Sequence, residues 1–536
     1  MSCENTGTIE KDAVMLRRPK FDRSKLCVKC KLNPGNVVIR HSVFCKTCFF
    51  PLVTTKFKRG LDPYINPKSD ASRRKTLKAS GNLLLSFSGG LGSTVLIDLV
   101  NQCYLAPFAV TEDGKPKGGK DHPRNGRVWK KVTVCYVETS SAYSGARDRL
   151  EDVRQVVNQY QNVEFIPLRI EDAFNEDWWT QNGGRLGDST LRVELSNEDL
   201  PLSAERSPKS QLPREALKQF LSSLPTQTAI ITAIQNLVRV LLLHTAHVTE
   251  SSHLLLGTSL TSLSIAHISS IAQGGGFTVR EEAQEEWAPD LPIAGSSLPK
   301  TGQIQRKNIR VIRPLRDVGM KECGIWAWWR GLHIVGREMS KHGKQEIGSL
   351  TRDFIVGLEA DYPSTVSTIA RTCAKVESKE EPAGATICIG LHKLTIARPA
   401  QRDVQGWKSR ISIRSYPFDL TDPHLPLHTK SSSIVPPLGA SHSSGVPADP
   451  LATLTPHLCY LCHTTLTSRS SRGTAGNGAL PQSGESVPLP AWVASRLYKG
   501  SVSSEPDQPI GEIWETTKMD EKDMKNVIAE YLIPDE

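Results

Sequence analysis

Four cysteines near the amino terminus carry the plainest chemistry in the chain. Cys27 and Cys30 form one Cys-x-x-Cys pair, fourteen residues intervene, and Cys45 and Cys48 form a second. Each pair sits at a tight turn that points two thiolates at one ion. Four thiolates close a tetrahedral site with no open position for water, so the spacing predicts a structural zinc. A set of ordinary buried thiols is the competing reading, and paired spacing twice over fits it poorly. Lys25, Lys29, Lys31, Arg40, His41, Lys46, Lys56, Lys58 and Arg59 surround these cysteines, with Phe44, Phe49, Phe50 and Phe57 interleaved. Cations with aromatics can grip phosphates and stack on bases. Some of the phenylalanines are expected instead to form a small core around the metal.

The second constellation is the run Leu83-Leu84-Leu85-Ser86-Phe87-Ser88-Gly89-Gly90-Leu91-Gly92-Ser93-Thr94. A phosphate needs close backbone approach, inward-pointing amides and a helix N-terminus behind them. Ser88, Gly89, Gly90 and Ser93 supply those elements as a candidate nucleotide-binding loop, although a glycine turn can also do no more than join strand to helix. Weaker signals follow. Cys459-x-x-Cys462 is a candidate second metal pair, with Cys373, Cys388, His457 and His463 as further donors. The string Cys459 to His463 also matches a haem-attachment motif, rejected here because it lies among polar, loop-like stretches. Trp326, Trp328 and Trp329 read as core or interface residues before base-stacking ones. His244, His247 and His253 read as ordinary residues of a helix face and a strand start before metal ligands.

These groups need a scaffold, and the text from residue 81 supplies one. Strands are expected at 82–87, 132–137, 163–168, 253–257 and 309–312, and helices at 93–102, 147–161, 226–249, 262–272, 320–330 and 351–359. Apolar strands separated by helices predict an α/β fold with a doubly wound parallel sheet. Ligands on such sheets bind beyond the carboxyl ends of the strands, where Ser88 to Ser93 would lie. Around this domain (81–350) the sequence places a disordered arm (1–24), the four-cysteine zinc module (25–60), a basic linker (61–80), a helical and strand extension (351–420) and a loop-rich, flexible C-terminal region (421–536). Residues 181–213 and 280–308 are expected to be loops.

The formal net charge of +10 is unevenly placed. Residues 1–80 hold 18 Lys+Arg against 6 Asp+Glu, a net of +12, and the remainder nets −2. A field so concentrated suits a polyanion, nucleic acid first, with a solvated basic arm as the plainer reading. Twelve cysteines, six of them in Cys-x-x-Cys pairs, favour metal over a disulfide scaffold. No run approaches the ~18 consecutive apolar residues of a membrane span. The expectation is a cytoplasmic protein with no membrane partner.

The loop is specific enough to place. The chain resembles the ATP pyrophosphatase (PP-loop) superfamily, whose fold is of the adenine nucleotide alpha hydrolase type, within its tRNA thiolation branch. It is similar to the family of cytoplasmic tRNA 2-thiolation protein 2, the partner of the catalytic thiolase subunit. The residues that carry the resemblance are the double Cys-x-x-Cys module with Phe49 and Lys56-Phe57-Lys58, and the loop Phe87-Ser88-Gly89-Gly90. Further on come His253 to Ser259, glycines 274 to 276, Arg313-Pro314-Leu315-Arg316-Asp317, Phe354 to Leu358, Tyr362 to Val366, and the late Cys459-x-x-Cys462. The departures inform equally. Gly92 stands where the active loop has an aspartate, which puts Mg-ATP binding in question. The core holds only Cys103, Cys135 and Cys323, unpaired, where the catalytic branch has a Cys-x-x-Cys and a distant third cysteine. The resemblance therefore implies a non-catalytic subunit with no catalytic residue of its own. It implies tRNA and a catalytic PP-loop homologue as partners, and a thiocarboxylated ubiquitin-related modifier as an indirect one, with protein conjugation of that modifier by association. An active ATP-dependent tRNA-modifying enzyme and a zinc-dependent RNA-binding adaptor are the competing readings.

Overall fold

A computed structural model describes residues 26–65, 81–105, 128–184, 190–197, 199–205, 211–276, 279, 285–287, 309–336, 346–375, 386–387, 396–397, 453–455, 458, 460–467 and 486–494. The arm at 1–24 lies outside them, as do most of 61–80 and of 421–536.

The chain opens with a hairpin, β1 (Val37–Ile39) and β2 (Ser42–Phe44), followed by a long helix, α1 (Lys46–Ile65). Then strand and helix alternate: β3 (Asn82–Ser86), α2 (Leu91–Val100), β4 (Val132–Glu138), α3 (Leu150–Val157) and β5 (Glu164–Arg169). After α4 (Glu176–Gln181) come the strands β6 (Thr190–Glu194) and β7 (Leu202–Glu205). The helices α5 (Pro213–Ser222) and α6 (Gln227–Val248) lead into β8 (Ser251–Leu256), α7 (Leu260–Ala272), β9 (Glu285–Trp287) and β10 (Ile309–Ile312). Helices α8 (Met320–Arg330), α9 (Ile347–Asp361) and α10 (Pro363–Cys373) follow, and the late segments form α11 (Tyr460–Thr467) and a strand, β11 (Ser486–Pro488).

The central sheet has the order β5-β4-β3-β8-β10-β9. Its first five strands are mutually parallel, and β9 closes the edge antiparallel to β10. Chain order reverses at β3, so the crevice between the ends of β3 and β8 is the topological switch point of a doubly wound sheet. Alternation sends neighbouring side chains to opposite layers. Leu83, Leu85, Val132, Val134, Tyr136, Leu255 and Ile312 join one core. Leu84, Cys135, Val137, Leu254, Ile309 and Val311 join the other. Helices α5 and α6 cover the second face; α2, α3 and α8 cover the first. By length and composition α6 could cross a membrane, with a mean hydropathy of 1.5. Its apolar character has a local cause, because Ala233, Leu237, Leu241 and Ala246 pack against the sheet.

Three expectations need correction. The first concerns the amino-terminal module. Helix α1 runs through residues 61–65, placed above in a linker, and Phe49, Val53, Phe57, Leu61 and Ile65 are each 0% exposed. That strict four-residue spacing lays one helix face on the first core, beside Leu83, Val100 and Trp326. Phe49 and Phe57 are thus core residues of the sheet domain; Phe49 meets Trp329 edge to face at 5.0 Å, and Phe57 meets Tyr104. Second, residues 181–213 are not all loop. They hold β6 and β7, which pair antiparallel, and 280–308 holds β9. Third, the described pieces of the supposedly flexible tail are buried. Leu458, Leu461, Leu466, Val487 and Trp492 enter the second core, and β11 pairs with β6. The extension at 351–420 begins in helices: Leu260 and Leu263 of α7 pack with Ile355 of α9 and Val366 of α10.

Candidate functional site

The glycine loop stands where the sequence places it. Strand β3 ends at Ser86, the Phe87 amide donates to the Cys135 carbonyl at 2.9 Å, and α2 begins at Leu91. Ser88, Gly89, Gly90 and Ser93 come together in one turn, where their hydroxyls and the Gly89 and Gly90 carbonyls are engaged by the chain itself. The Ser93 hydroxyl donates to the Gly90 carbonyl at 2.9 Å and lies 3.3 Å from the Ser88 hydroxyl. The Thr94 hydroxyl and amide also donate to that Gly90 carbonyl, at 3.0 and 3.1 Å. Gly89 has φ +72°, a left-handed conformation that favours glycine. Its carbonyl accepts the Gly336 amide at 2.9 Å. A Cβ built on it would stand 2.9 Å from the Gly336 carbonyl oxygen and 3.5 Å from Val335 Cβ. The segment after α8 is therefore laid across the loop.

Gly92 is enclosed more tightly still. A Cβ there would overlap the Gly257 carbonyl oxygen, and a Cβ on Gly257 would come within 2.5 Å of the Ser93 amide nitrogen. The backbones that follow β3 and β8 touch at the switch point, where a doubly wound sheet ordinarily receives its ligand. The turn after β8 is fixed by Ser259, whose hydroxyl caps α7 by accepting the Ser262 amide at 3.2 Å.

One group beside this loop was missed by the sequence reading. Glu138 closes β4 and is 3% exposed. Its carboxylate accepts the Tyr136 hydroxyl at 2.9 Å and the Ser140 and Arg149 amides, both at 2.8 Å. A buried charge with three donors is satisfied, and it pins the 139–149 loop to the sheet. Burial, then the Glu138 charge, pushes the Tyr136 phenol well above its usual range. The available signal was an acid ending an otherwise apolar strand.

The cysteine module has the complementary geometry. The Sγ atoms of Cys27, Cys30, Cys45 and Cys48 all lie within 4.8 Å of one another, with Cys30 and Cys45 at 3.8 Å. A tetrahedron with Zn–S bonds of about 2.3 Å has edges of about 3.8 Å, so the donor set fits a four-thiolate ion site. Backbone bonds shape the two knuckles: Lys31 N to Cys27 O at 2.8 Å, and Phe49 N to Cys45 O at 3.0 Å. The Thr47 hydroxyl, 3.0 Å from Cys45 Sγ, draws that thiol down to about 6. Burial and the neighbouring sulfurs push Cys48 up to about 12. Clustered thiols that resist simultaneous ionisation are what a divalent cation would relieve.

Two buried carboxylates tie the helices on this face together, one joining α1 to α8 and the other joining α2 to α8. Glu322, on α8, receives Lys56 at 2.5 Å and the Gly319 amide at 2.7 Å. Asp98, on α2, accepts Trp326 Nε1 at 2.7 Å, Gln102 at 2.8 Å and Arg330 at 3.3 Å. The three tryptophans thus divide: Trp326 is buried, Trp329 packs on Phe49 and Phe50, and Trp328 is 77% exposed. Cys135 and Cys323 are buried in the two separate cores, on opposite faces of the sheet, and burial raises both thiols. Cys103 is half-buried and raised to about 11 by burial. Of the second candidate pair, Cys462 is buried in α11 and Cys459 lies outside the described residues, with Cys388 and His457. His253 is a strand residue bonded to the Ser252 hydroxyl at 2.8 Å, and His244 packs on Trp179.

Comparison with known proteins finds similar chains. The family model described as cytoplasmic tRNA 2-thiolation protein 2 matches residues 346–464. The protein of that name from Danio rerio is 25% identical over 400 residues, covering 68% of this chain and 70% of the relative. The one from Homo sapiens is 24% identical over 484 residues, covering 84% and 88%. Both are named as cytoplasmic, in accord with the cytoplasmic assignment. Among solved structures, the U34-tRNA thiolase NcsA of Methanococcus maripaludis, described with its 4Fe–4S cluster, aligns at 14% identity and a TM-score of 0.40, covering 68% of this chain and 93% of that one.

Proposed function

We propose, because the chain belongs to the cytoplasmic tRNA 2-thiolation protein 2 family, that it is the non-catalytic subunit of a tRNA wobble-uridine 2-thiolation complex. It pairs with a catalytic PP-loop thiolase. That partner moves sulfur from a thiocarboxylated ubiquitin-related modifier to the 2 position of 5-methoxycarbonylmethyluridine in lysine, glutamate and glutamine tRNAs. The part of this chain is to bind tRNA and hold the partner. Its four cysteines, Cys27, Cys30, Cys45 and Cys48, carry a structural zinc.

The observation that supports the non-catalytic role is the backbone contact between Gly92 and Gly257. The position at which the active loop presents a carboxylate has no room for a β-carbon, let alone an aspartate. The Gly336 contact on Gly89 acts in the same direction, because it covers the loop where a phosphate would approach. The amino-terminal cations supply the field a tRNA needs. The reading is tested in a strain lacking this protein, by mass spectrometry of wobble uridines together with affinity purification of the restored protein. The expected result is loss of 2-thiouridine in the deletion and a co-eluting PP-loop homologue on restoration. Normal 2-thiouridine in the deletion overturns the reading. So does conversion of uridine to 2-thiouridine by the purified chain alone with ATP and a sulfur donor.

A further inference from the structure

A cleft between α1 and α8 lies away from the closed loop and has no part in the contacts that shut it. It measures about 460 Å3, within the range of about 300–1,000 Å3 typical of small-ligand sites. Residues four apart build its walls. Phe50, Thr54 and Lys58 form one stripe of α1, next to the buried stripe that runs from Phe49 to Ile65. Trp326 and Arg330 form the stripe of α8 across from it, and Gln102, just past the end of α2, closes a third side. Helix α2 begins beside the glycine loop at Leu91, so Gln102 stands about 15 Å from that loop along the helix axis. The Gly257 contact on Gly92 and the Gly336 contact on Gly89 are at the other end of the helix.

Two cations, a hydroxyl and a fixed ring line this cleft. Lys58 is exposed, and no carboxylate pairs with it among the described residues. Asp62, one turn further along α1, accepts the Tyr104 hydroxyl at 2.7 Å. Arg330 keeps 42% of its side chain exposed, while Asp98 holds it at 3.3 Å and so fixes its direction. Asp98 itself is buried and also accepts from Gln102 and Trp326. Thr54 is half-buried, and its hydroxyl has no partner among the described residues. Phe50 is half-buried too, and its ring is held edge to face by Trp326 at 5.0 Å and tilted against Trp329 at 6.0 Å. A phosphate asks for cations and a donor, and a base asks for a rigid apolar surface. The cleft offers both, and residues 26–59, which supply its α1 wall, contain no carboxylate.

We propose that this cleft binds one nucleoside phosphate unit. The phosphate lies between Lys58 and Arg330 and accepts from Thr54, and the base rests on Phe50. Stacking on a phenyl ring tolerates any base and requires that the base be free of a duplex. Such a unit comes from an unpaired stretch of RNA or from a free nucleotide. The inference deepens the tRNA reading above and rests on it for the source, an unpaired nucleotide of the tRNA.

The test uses the full chain and fluorescence anisotropy with a labelled tRNA transcript and a labelled short single-stranded RNA, and with AMP and inorganic phosphate as competitors. Lys58→Ala should weaken both probes about fivefold and lower the slope of log affinity against log salt by about one, and Lys58→Arg should restore both. Phe50→Leu should weaken them by a similar factor with the salt slope unchanged, because it removes a stacking surface and no charge. Millimolar AMP should displace the single strand, and an equal concentration of inorganic phosphate should not. Lys58 is exposed, so its variants keep the wild-type melting temperature and carry the test even if Phe50→Leu loosens α1. If the wild type binds tRNA, and Lys58→Ala and Phe50→Leu bind it equally well, this site is wrong and the tRNA role stands. If Lys29→Ala weakens binding as much as Lys58→Ala, and phosphate competes as well as AMP, the cations act as a diffuse field and the proposal falls. If AMP binds in a Lys58-dependent way by calorimetry and the wild type binds no tRNA, the site stands with a free nucleotide as its occupant, and the tRNA reading fails.

Discussion

The cysteine module and the glycine loop are both shaped for a ligand, and the chain treats them in opposite ways. In the module, four sulfurs converge within 4.8 Å, and burial with the neighbouring sulfurs raises the Cys48 thiol. In the loop, the hydroxyls turn onto the Gly90 carbonyl, Gly336 bonds to Gly89, and Gly257 abuts Gly92. The difference teaches that a ligand motif in sequence specifies a backbone form only. Whether that form can admit a ligand is decided by residues far away. Gly257 is 165 positions from Gly92, and no local pattern announces their contact.

The largest expected effect tests the module. Cys27→Ser should abolish stoichiometric metal in the purified protein and unfold residues 26–45, since a structural zinc site contributes on the order of 10 kcal/mol to small domains. Metal analysis by mass spectrometry with hydrogen exchange over the module reads both. Full metal content in that variant would erase the contrast between the two regions.

Next comes the joint between module and sheet. Glu322→Ala should cost about 3–5 kcal/mol, because it leaves Lys56 without its partner in a mostly buried position. Chemical denaturation gives the number. A cost under about 1 kcal/mol would mean that α1 and the sheet are two bodies held only by apolar contact. This joint was poorly legible in the sequence. The five-residue stripe from Phe49 to Ile65 has helical spacing, but Pro51 and Pro63 lie inside α1 and read as punctuation. The strands were legible, because buried parallel strands are continuous apolar runs and β3, β4, β8 and β10 all fall near their expected limits. The hairpin at 190–205 and its pairing with β11 were not, since that partner arrives nearly 300 residues later (Val193 with Val487) and pairing over such a distance leaves no local period. Of the candidate sites, the convergence of Cys27, Cys30, Cys45 and Cys48 was readable from spacing alone. Glu138 and Asp98 were not, because a lone acid in an apolar stretch looks like an exposed one until its donors are seen.

The loop gives the third prediction. Gly92→Asp, which would recreate the active motif, should lower stability by about 3 kcal/mol through backbone overlap with Gly257 and should add no ATP turnover. Thermal unfolding and pyrophosphate release with tRNA present measure the two halves. A variant as stable as the wild type that consumes ATP would show that the loop is open after all, and the contrast with the module would collapse.

The smallest effect concerns pH and the far end of α1. His253 begins the buried part of β8, accepts or donates to the Ser252 hydroxyl at 2.8 Å, and sits 3.4 Å from the Tyr64 carbonyl near the end of α1. Burial lowers its pKa to about 4, with the Tyr64 contact opposing and the Arg310 charge assisting. The unfolded chain takes up this proton near the ordinary value of about 6.5, and the folded chain resists until about 4. Between those values the unfolded state holds more protons, so stability falls as the pH falls. The contribution is complete above about pH 6.5 and should shrink by about 2 kcal/mol on reaching pH 4.5, allowing for the partial exposure that lets water share the charge. His253→Gln should flatten that slope while leaving metal content unchanged, because the residue anchors the end of α1 remote in sequence from the cysteines. If the slope persists in the variant, other groups govern acid sensitivity and this anchor is neutral. If metal is lost along with the slope, α1 transmits strain along its length, and the module and the sheet cannot be treated as separately tunable regions.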